Sequence, residues 1–408
     1  MKNKNLWVNL SIIGLFTVAL LGMNLRSKFL FDLPFIDYNR LLDAHEHFAF
    51  AGWVTLALMV LLINELLTLT NKKNSYQWLL GGIAIGSWGM LFSFPFERFI
   101  SASNYFSTFF ILVTYVFSWV FIKDIIKSPV SKTVRILSIS SMVCLTLSSV
   151  GPFTLAYLFS VKSLNAVLYR DALFTYLHLQ YNGFFTLAVF ALLVHKLDLK
   201  ITARSNRDVH WFAYLLTFSV LPSLFISYLW QEPNIVIRLV AIVGSISLLL
   251  TFTWLFISGI EIRKTITEVM PIIRVMGLLS ISAFMLKTFL QSFTIFPAVG
   301  DAVFGDRPVI IGFLHLVFLV FVSIFILAYY AQSGFLNIHS RFTKVALIAF
   351  IIGVVLNETV LMLQGVGKMV IIGSALFPWL LWIISIWLFI SALLILIARF
   401  KTKKGSSV

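Results

Sequence analysis

Three histidines stand in similar surroundings. In the stretch 41–53 (LLDAHEHFAFAGW) His47 is followed five residues later by Gly52 and then by Trp53. In 176–184 (YLHLQYNGF) His178 is followed at the same distance by Gly183 and then by Phe184. Thr55, Leu56 and Ala57 then match Thr186, Leu187 and Ala188. A third stretch around His315 repeats the histidine without the glycine. Arg40, Arg170 and Arg307 precede the three histidines by seven or eight residues, which is two helical turns. Neutral imidazole is the commonest metal ligand and the usual axial ligand of haem b. A haem clamped between helices needs two histidines at one depth, whereas copper or zinc needs three or four converging ligands. His45 adds a further candidate metal ligand. Being two residues from His47, it points to nearly the opposite side of a helix. The alignment with His178 selects His47 as the inward one. Arg40 and Arg307 are placed to hold haem propionates by charge-assisted bonds. A plainer role stays open for each group: an intramembrane His often only bonds a neighbouring helix, and a helix-end Arg often only snorkels.

The elements that must position these groups are membrane helices. Of the 408 residues, 60% are hydrophobic and 12% charged, against about 25% charged in soluble domains. A span needs about 20 apolar residues. Twelve are expected, at 6–25, 44–69, 77–98, 104–126, 134–160, 172–195, 210–230, 234–259, 271–296, 308–331, 343–365 and 370–398, forming a single polytopic membrane domain over residues 1–408. The first is expected to be a retained helix, since no small-residue cleavage site follows it. Continuous apolar runs exclude a barrel. The net charge of +15 therefore describes topology and not nucleic-acid binding. With the N-terminus inside, 21 of the 31 basic residues fall at cytoplasmic ends. The positive-inside rule then places both termini in the cytoplasm of a cell with this protein in its inner membrane. The lone Cys144 forms no internal disulfide.

The histidine helices are spans 2, 6 and 10, so they run in one direction with their histidines at similar depth. Spans 9 and 11 run the other way and carry Lys287 with Gln291, and Asn357 with Glu358. Intramembrane ionisable groups are costly and face a partner, so a Lys287–Glu358 pair supported by Asn357 or Gln291 is expected. Gln180 and Asn182 lie beside His178 in the same helix. Gly151-Pro152 predicts a kink in span 5, and His210 is expected to be solvated.

Twelve helices, with histidines on the second, sixth and tenth, resemble subunit I of the haem-copper oxidases, a bundle of three four-helix repeats. The segment 45–53 is similar to that of its cbb3-type branch and of the NnrS-type membrane proteins linked to nitric oxide. The resemblance implies an all-α integral membrane bundle, haem b, copper, and an electron-transfer partner. It places His47 and His315 as the haem clamp and His178 as a copper ligand. The chain departs from the family in lacking the paired histidines of helix 7, a second His in helix 10 and the Pro-Glu-x-Tyr run of helix 6. A complete oxygen-reducing centre is therefore not expected. At most one haem or one reduced metal site remains. A secondary transporter or channel using the buried His, Lys and Glu is the alternative. Transporters usually repeat in six-helix halves, whereas this repeat recurs every four helices.

Overall fold

The computed structural model describes residues 3–34, 37–67, 73–96, 100–197, 203–231, 233–265, 269–305, 307–369 and 374–404. They form an all-helical bundle with no strand among them. The long helices are α1 (Lys4–Ser27), α2 (Tyr38–Leu66), α3 (Lys73–Ser93), α4 (Ile100–Lys127), α5 (Lys132–Ser160), α6 (Ala166–Leu197), α7 (Ala203–Leu224), α8 (Ile235–Thr265), α9 (Pro271–Phe293), α10 (Arg307–Gln332), α11 (Arg341–Met369) and α12 (Leu376–Lys404). Among the described residues eleven helices are long and apolar enough to cross a membrane. The expected third span is the exception. α3 has the length, at 21 residues, but its glycines and polar residues leave it less apolar. The ends of the expected spans at 68–69, 97–98 and 370–373 lie outside the described residues.

The helices start where the sequence gives them caps. The Asp37 side chain accepts from Arg40 N–H at 2.9 Å and opens α2. Asn165 does the same for α6 through Leu168 N–H. Each satisfies one of the amides that a helix start leaves unpaired. α5 breaks at Ser149, just before Gly151-Pro152, as a proline inside a helix requires. A Cβ on Gly151 would fall 2.4 Å from the Ala172 carbonyl, so glycine permits the close approach of α5 and α6.

α2, α6 and α10 are the most enclosed spans. Of their apolar stretches 78%, 89% and 56% is buried, against at most 50% in any other. This makes the three histidine helices the interior of the bundle. Each also departs from α-helical winding just after its histidine. π-helical turns run over Ala49–Thr55, Leu179–Phe185 and Leu316–Ser323. Such wide turns are rare and often mark functional positions. Eight residues after the histidines stand Thr55, Thr186 and Ser323. The Thr186 hydroxyl donates to Tyr181 C=O at 2.5 Å and Ser323 to Phe318 C=O at 2.7 Å, both five residues back. These hydroxyls occupy carbonyls displaced by the wide turn. Trp53 Nε1 in turn donates to Ser323 Oγ at 2.8 Å, tying α2 to α10.

Between the three helices, one turn past the histidines, aromatic rings fill the axis. Phe50 and Phe318 have centroids 4.3 Å apart, and Phe185 stands 5.8 and 5.6 Å from them. Beyond this layer all three helices are buried on nearly every residue. At the far end Lys196 Nζ reaches Glu65 Oε2 at 3.0 Å, and Tyr329 donates to the same oxygen at 3.0 Å. Ser333 approaches Glu65 Oε1 at 3.5 Å. Glu65, Lys196 and Ser333 each lie 18 residues after their histidine, so equivalent positions of α2, α6 and α10 meet.

Candidate functional site

The three histidines do not meet. They have separate neighbours, because each faces a different outer helix. Their common site expected from the sequence is therefore not formed.

His47 donates through Nδ1–H to the Asp43 carbonyl, 2.9 Å away in its own helix, and its ring lies 4.5 Å from that of Phe94, just past α3. His178 is fully buried with both ring nitrogens engaged. Nε2 lies 2.8 Å from the Val220 carbonyl of α7 and 3.3 Å from Ser223 Oγ. Nδ1 accepts from Asn182 Nδ2 at 3.0 Å. The Val220 carbonyl lies in the last turn of α7, before the 3-10 turn at Phe225–Gln231, and accepts from Ser223 Oγ at 3.3 Å as well. The Asn182 carbonyl oxygen accepts from Lys287 Nζ. The result is a continuous line from α9 through α6 to α7.

Lys287 is thus the partner of Asn182 and not of Glu358, which corrects the expected pair. Its ammonium sits 5.6 Å from the ring centroids of both Tyr181 and Phe284, at cation–π range. Gln291, expected to support it, has a buried Oε1 without a partner. Gln180 donates to Ser148 Oγ at 2.9 Å and bonds α6 to α5. His210 bonds the Thr133 hydroxyl and packs on Tyr214, so it is not merely solvated.

His315 is held as His47 is, by the carbonyl four residues back in its own helix, and unlike His178. Its Nδ1 lies 2.8 Å from the Ile311 carbonyl, one turn back. That bond fixes the Nδ1–H tautomer and leaves the Nε2 lone pair available, the arrangement that metal-binding histidines use. The histidine within electrostatic reach is His45, together with Arg26 of α1. The His45 ring, from α2, packs against α1 beside Val18, where glycine at position 22 makes room: a Cβ there would be 3.3 Å from the ring. His45 Nδ1 is buried with no hydrogen-bond partner. Glu358 of α11 faces Arg26 as well; it accepts from Asn357 at 3.1 Å through Oε1 and leaves Oε2 buried and unpartnered. α1, α2, α10 and α11 therefore enclose Arg26, His45, His315, Asn357 and Glu358 as one polar group.

The arginines are not stacked above their histidines as anion clamps. Arg307 donates to Tyr38 OH at 3.3 Å. Arg170 lies over Trp230 at 4.3 Å. Arg40 faces Asp43. Gly52 and Gly183 are packing glycines: a Cβ on either would fall 2.4 Å from Phe48 or Cys144.

These observations test the groups that the sequence implied. Copper at His178 does not fit, since no ring lone pair is left for it. The His47–His315 haem clamp does not fit, since the two rings face different helices. His45 and His315 lie within electrostatic reach of each other and of Arg26, and each keeps a ring nitrogen without a hydrogen-bond partner among the described residues, His45 Nδ1 and His315 Nε2. No cluster of three or more His, Cys, Asp or Glu suited to one metal ion occurs among the described residues. Sequence reasoning gave no site role to Arg26, Glu65 or Lys196. The offset of 18 residues would have flagged the last two. No family model matches the chain, and no curated protein matches it.

Proposed function

We propose that the chain is a haem-binding membrane protein built on an oxidase-like plan, with one haem b held between α2 and α10 by His45 and His315. The observation that carries this is the pair itself: two enclosed imidazoles within reach of each other, each with a ring nitrogen that no protein group occupies. Arg26 is the cation placed for a propionate. Bound there, a haem would supply one-electron chemistry or diatomic-gas binding. The chain's own residues would orient it: the Ile311 carbonyl holds the His315 ring, and α1 holds the His45 ring. Glu358, with a free oxygen facing Arg26, is placed to carry a proton as the charge of the site changes. The incomplete copper site favours electron transfer or gas sensing over oxygen reduction.

The oxidase-like plan is supported by three wide turns at one place in α2, α6 and α10, and by Glu65, Lys196 and Ser333 meeting at one offset. That pattern is what a pseudo-threefold arrangement of four-helix repeats produces. The distribution of basic residues supports cytoplasmic termini, with the histidine end outside. Reporter fusions after Lys73 and Lys132 should both give a cytoplasmic signal, and a periplasmic signal at either reverses the topology.

The test is spectroscopic. The purified protein should show a Soret band that His45→Ala and His315→Ala abolish and that His47→Ala retains. A band lost with His47 and kept with His45 overturns the assignment. A specific observation favours the transport alternative: Lys287 is buried with an amide and two rings but no carboxylate beside it. A protein free of haem and metal that moves protons into liposomes, and stops doing so as Lys287→Met, would establish that reading instead.

A further inference from the structure

Where α12 ends, it meets the start of α1, the start of α11 and the turn after α10, at the end of the bundle opposite the histidines. Arg399 of α12 is the centre of this junction and is only 3% exposed. Its Nε donates to Asn9 Oδ1 and its Nη2 to Asn5 Oδ1, each at 2.8 Å, and Nη1 donates to the Phe335 carbonyl at 2.6 Å. All three acceptors are neutral. The guanidinium also lies 5.9 Å from the centroid of the Phe335 ring. Lys4 brings a second cation to that ring, with Nζ at 5.5 Å. Lys401, two residues past Arg399, stands 4.2 Å from the Phe342 ring of α11. Arg341 and Lys344 lie on either side of Phe342 in the first turn of α11. Lys4, Arg341 and Lys401 are exposed.

The elements that carry these cations hold no acid to answer them. Residues 1–31, 307–357 and 359–408 contain neither Asp nor Glu. Glu358 stands fourteen residues beyond Lys344, about 21 Å along α11. Glu65, at the foot of α2, is taken by Lys196 and Tyr329. Like charges gathered at one corner repel one another, and a buried guanidinium without a counter-charge is costly. An anion placed among them relieves both. The setting decides which kind. The cations stand at the ends of membrane helices, and Leu6, Val345, Ile397 and Phe400 beside them in sequence are exposed. Positive groups at the rim of an apolar, outward-facing surface match a phospholipid, with its phosphate on the cations and its acyl chains along the helices. A soluble phosphate would use only the first half of that surface. We propose that the corner between α1, α11 and α12 binds an anionic phospholipid, with Lys4 and Lys401 on its phosphate and Arg399 holding the ends of α1 and α12 in position beneath them.

The detergent-purified full chain is mixed with phosphatidylglycerol or phosphatidylcholine of the same acyl chains, and retained lipid is counted by native mass spectrometry. Phosphatidylglycerol should stay bound where phosphatidylcholine does not. Lys4→Gln and Lys401→Gln should each weaken its retention about fivefold, the usual share of one cation near an anionic lipid, and the double variant should weaken it more than either. Both side chains are exposed, so the variants keep the fold. Lys123→Gln is the control. Lys123 rests on Trp119 at the same end of the bundle, next to Asp124 in sequence, and its loss should change nothing. Equal retention of the two lipids overturns the proposal. So does an equal loss in Lys123→Gln, which would mean attraction by surface charge at large. Inorganic phosphate and glycerol 3-phosphate, added at the lipid's own concentration, should not displace it; displacement by either would mean a site for free phosphate and overturn the lipid assignment. The site does not rest on the haem reading: a protein without a Soret band that retains phosphatidylglycerol would sink the first and leave the second standing.

Discussion

His178 and His315 hold one position in two similar helices, and their surroundings give them opposite chemistry. Each is followed by a π-helical turn, each lies on an interior helix, and each precedes a hydroxyl by eight residues. Yet His178 meets a carbonyl beside a proline kink and an amide in its own helix, and both nitrogens are used. His315 meets only its own backbone and keeps one nitrogen for something else. The neighbour helix makes the difference. α7 carries Pro222 and Ser223 at the contact, while the helices around His315 bring Arg26, His45 and Glu358. A repeated position fixes depth and orientation; what packs against it fixes function.

The largest expected effect is spectral. His315→Ala should remove the haem signal completely, because a low-spin iron needs both axial ligands, while His178→Ala leaves it intact. Equal loss in both variants would erase the contrast. Stability should show the reverse order. His178→Ala takes a partner from the Asn182 amide and the Val220 carbonyl and opens a void, so unfolding in detergent should become easier by about 2–4 kcal/mol. His315→Ala in the haem-free protein should cost less. A third comparison divides the polar line itself. Asn182→Leu leaves two buried groups unsatisfied and should destabilise by about 1–3 kcal/mol, whereas Lys287→Met removes the buried charge outright and should be neutral or mildly stabilising. If Lys287→Met is as harmful as Asn182→Leu, the ammonium has a counter-charge that the hydrogen bonds do not show. The smallest effect belongs to the far end. Glu65→Gln should cost about 1 kcal/mol or less, as half-exposed ion pairs do, with most of the Tyr329 and Ser333 bonding kept by the amide.

Composition and apolar runs were enough to read the membrane class and the helix positions, because burial in lipid demands long apolar segments that nothing else mimics. The third span is less apolar than the rest because its glycines and polar residues lower its hydropathy. The importance of α2, α6 and α10 was also legible, from the recurring His, Gly and Thr. Which of His45 and His47 packs against α1 and which against Phe94 was not. It depended on which helix lies on each side of α2, and no residue of α2 records that. The expected Lys287–Glu358 pair failed for a related reason. A shared expected depth says nothing about azimuth around the bundle, and it is Asn182 that accepts from Lys287. The wide turns were invisible too, since Ala49–Thr55 has no proline and no composition that separates a π turn from an α turn.

The junction of Glu65, Lys196, Tyr329 and Ser333 gives the bundle a mechanical character. Three rods held at one end by charged and polar bonds, and towards the other mainly by ring contacts and single hydrogen bonds, make a tripod. Small rotations about the fastened foot leave the far contacts intact and move the histidine ends most, by leverage over the full length of the helices. The wide turns sit partway up each leg, where a helix bends with least loss of bonding. Such a frame would admit a ligand by spreading at the histidine end and would resist passage at the foot, so that entry and exit of anything bound would use the same side.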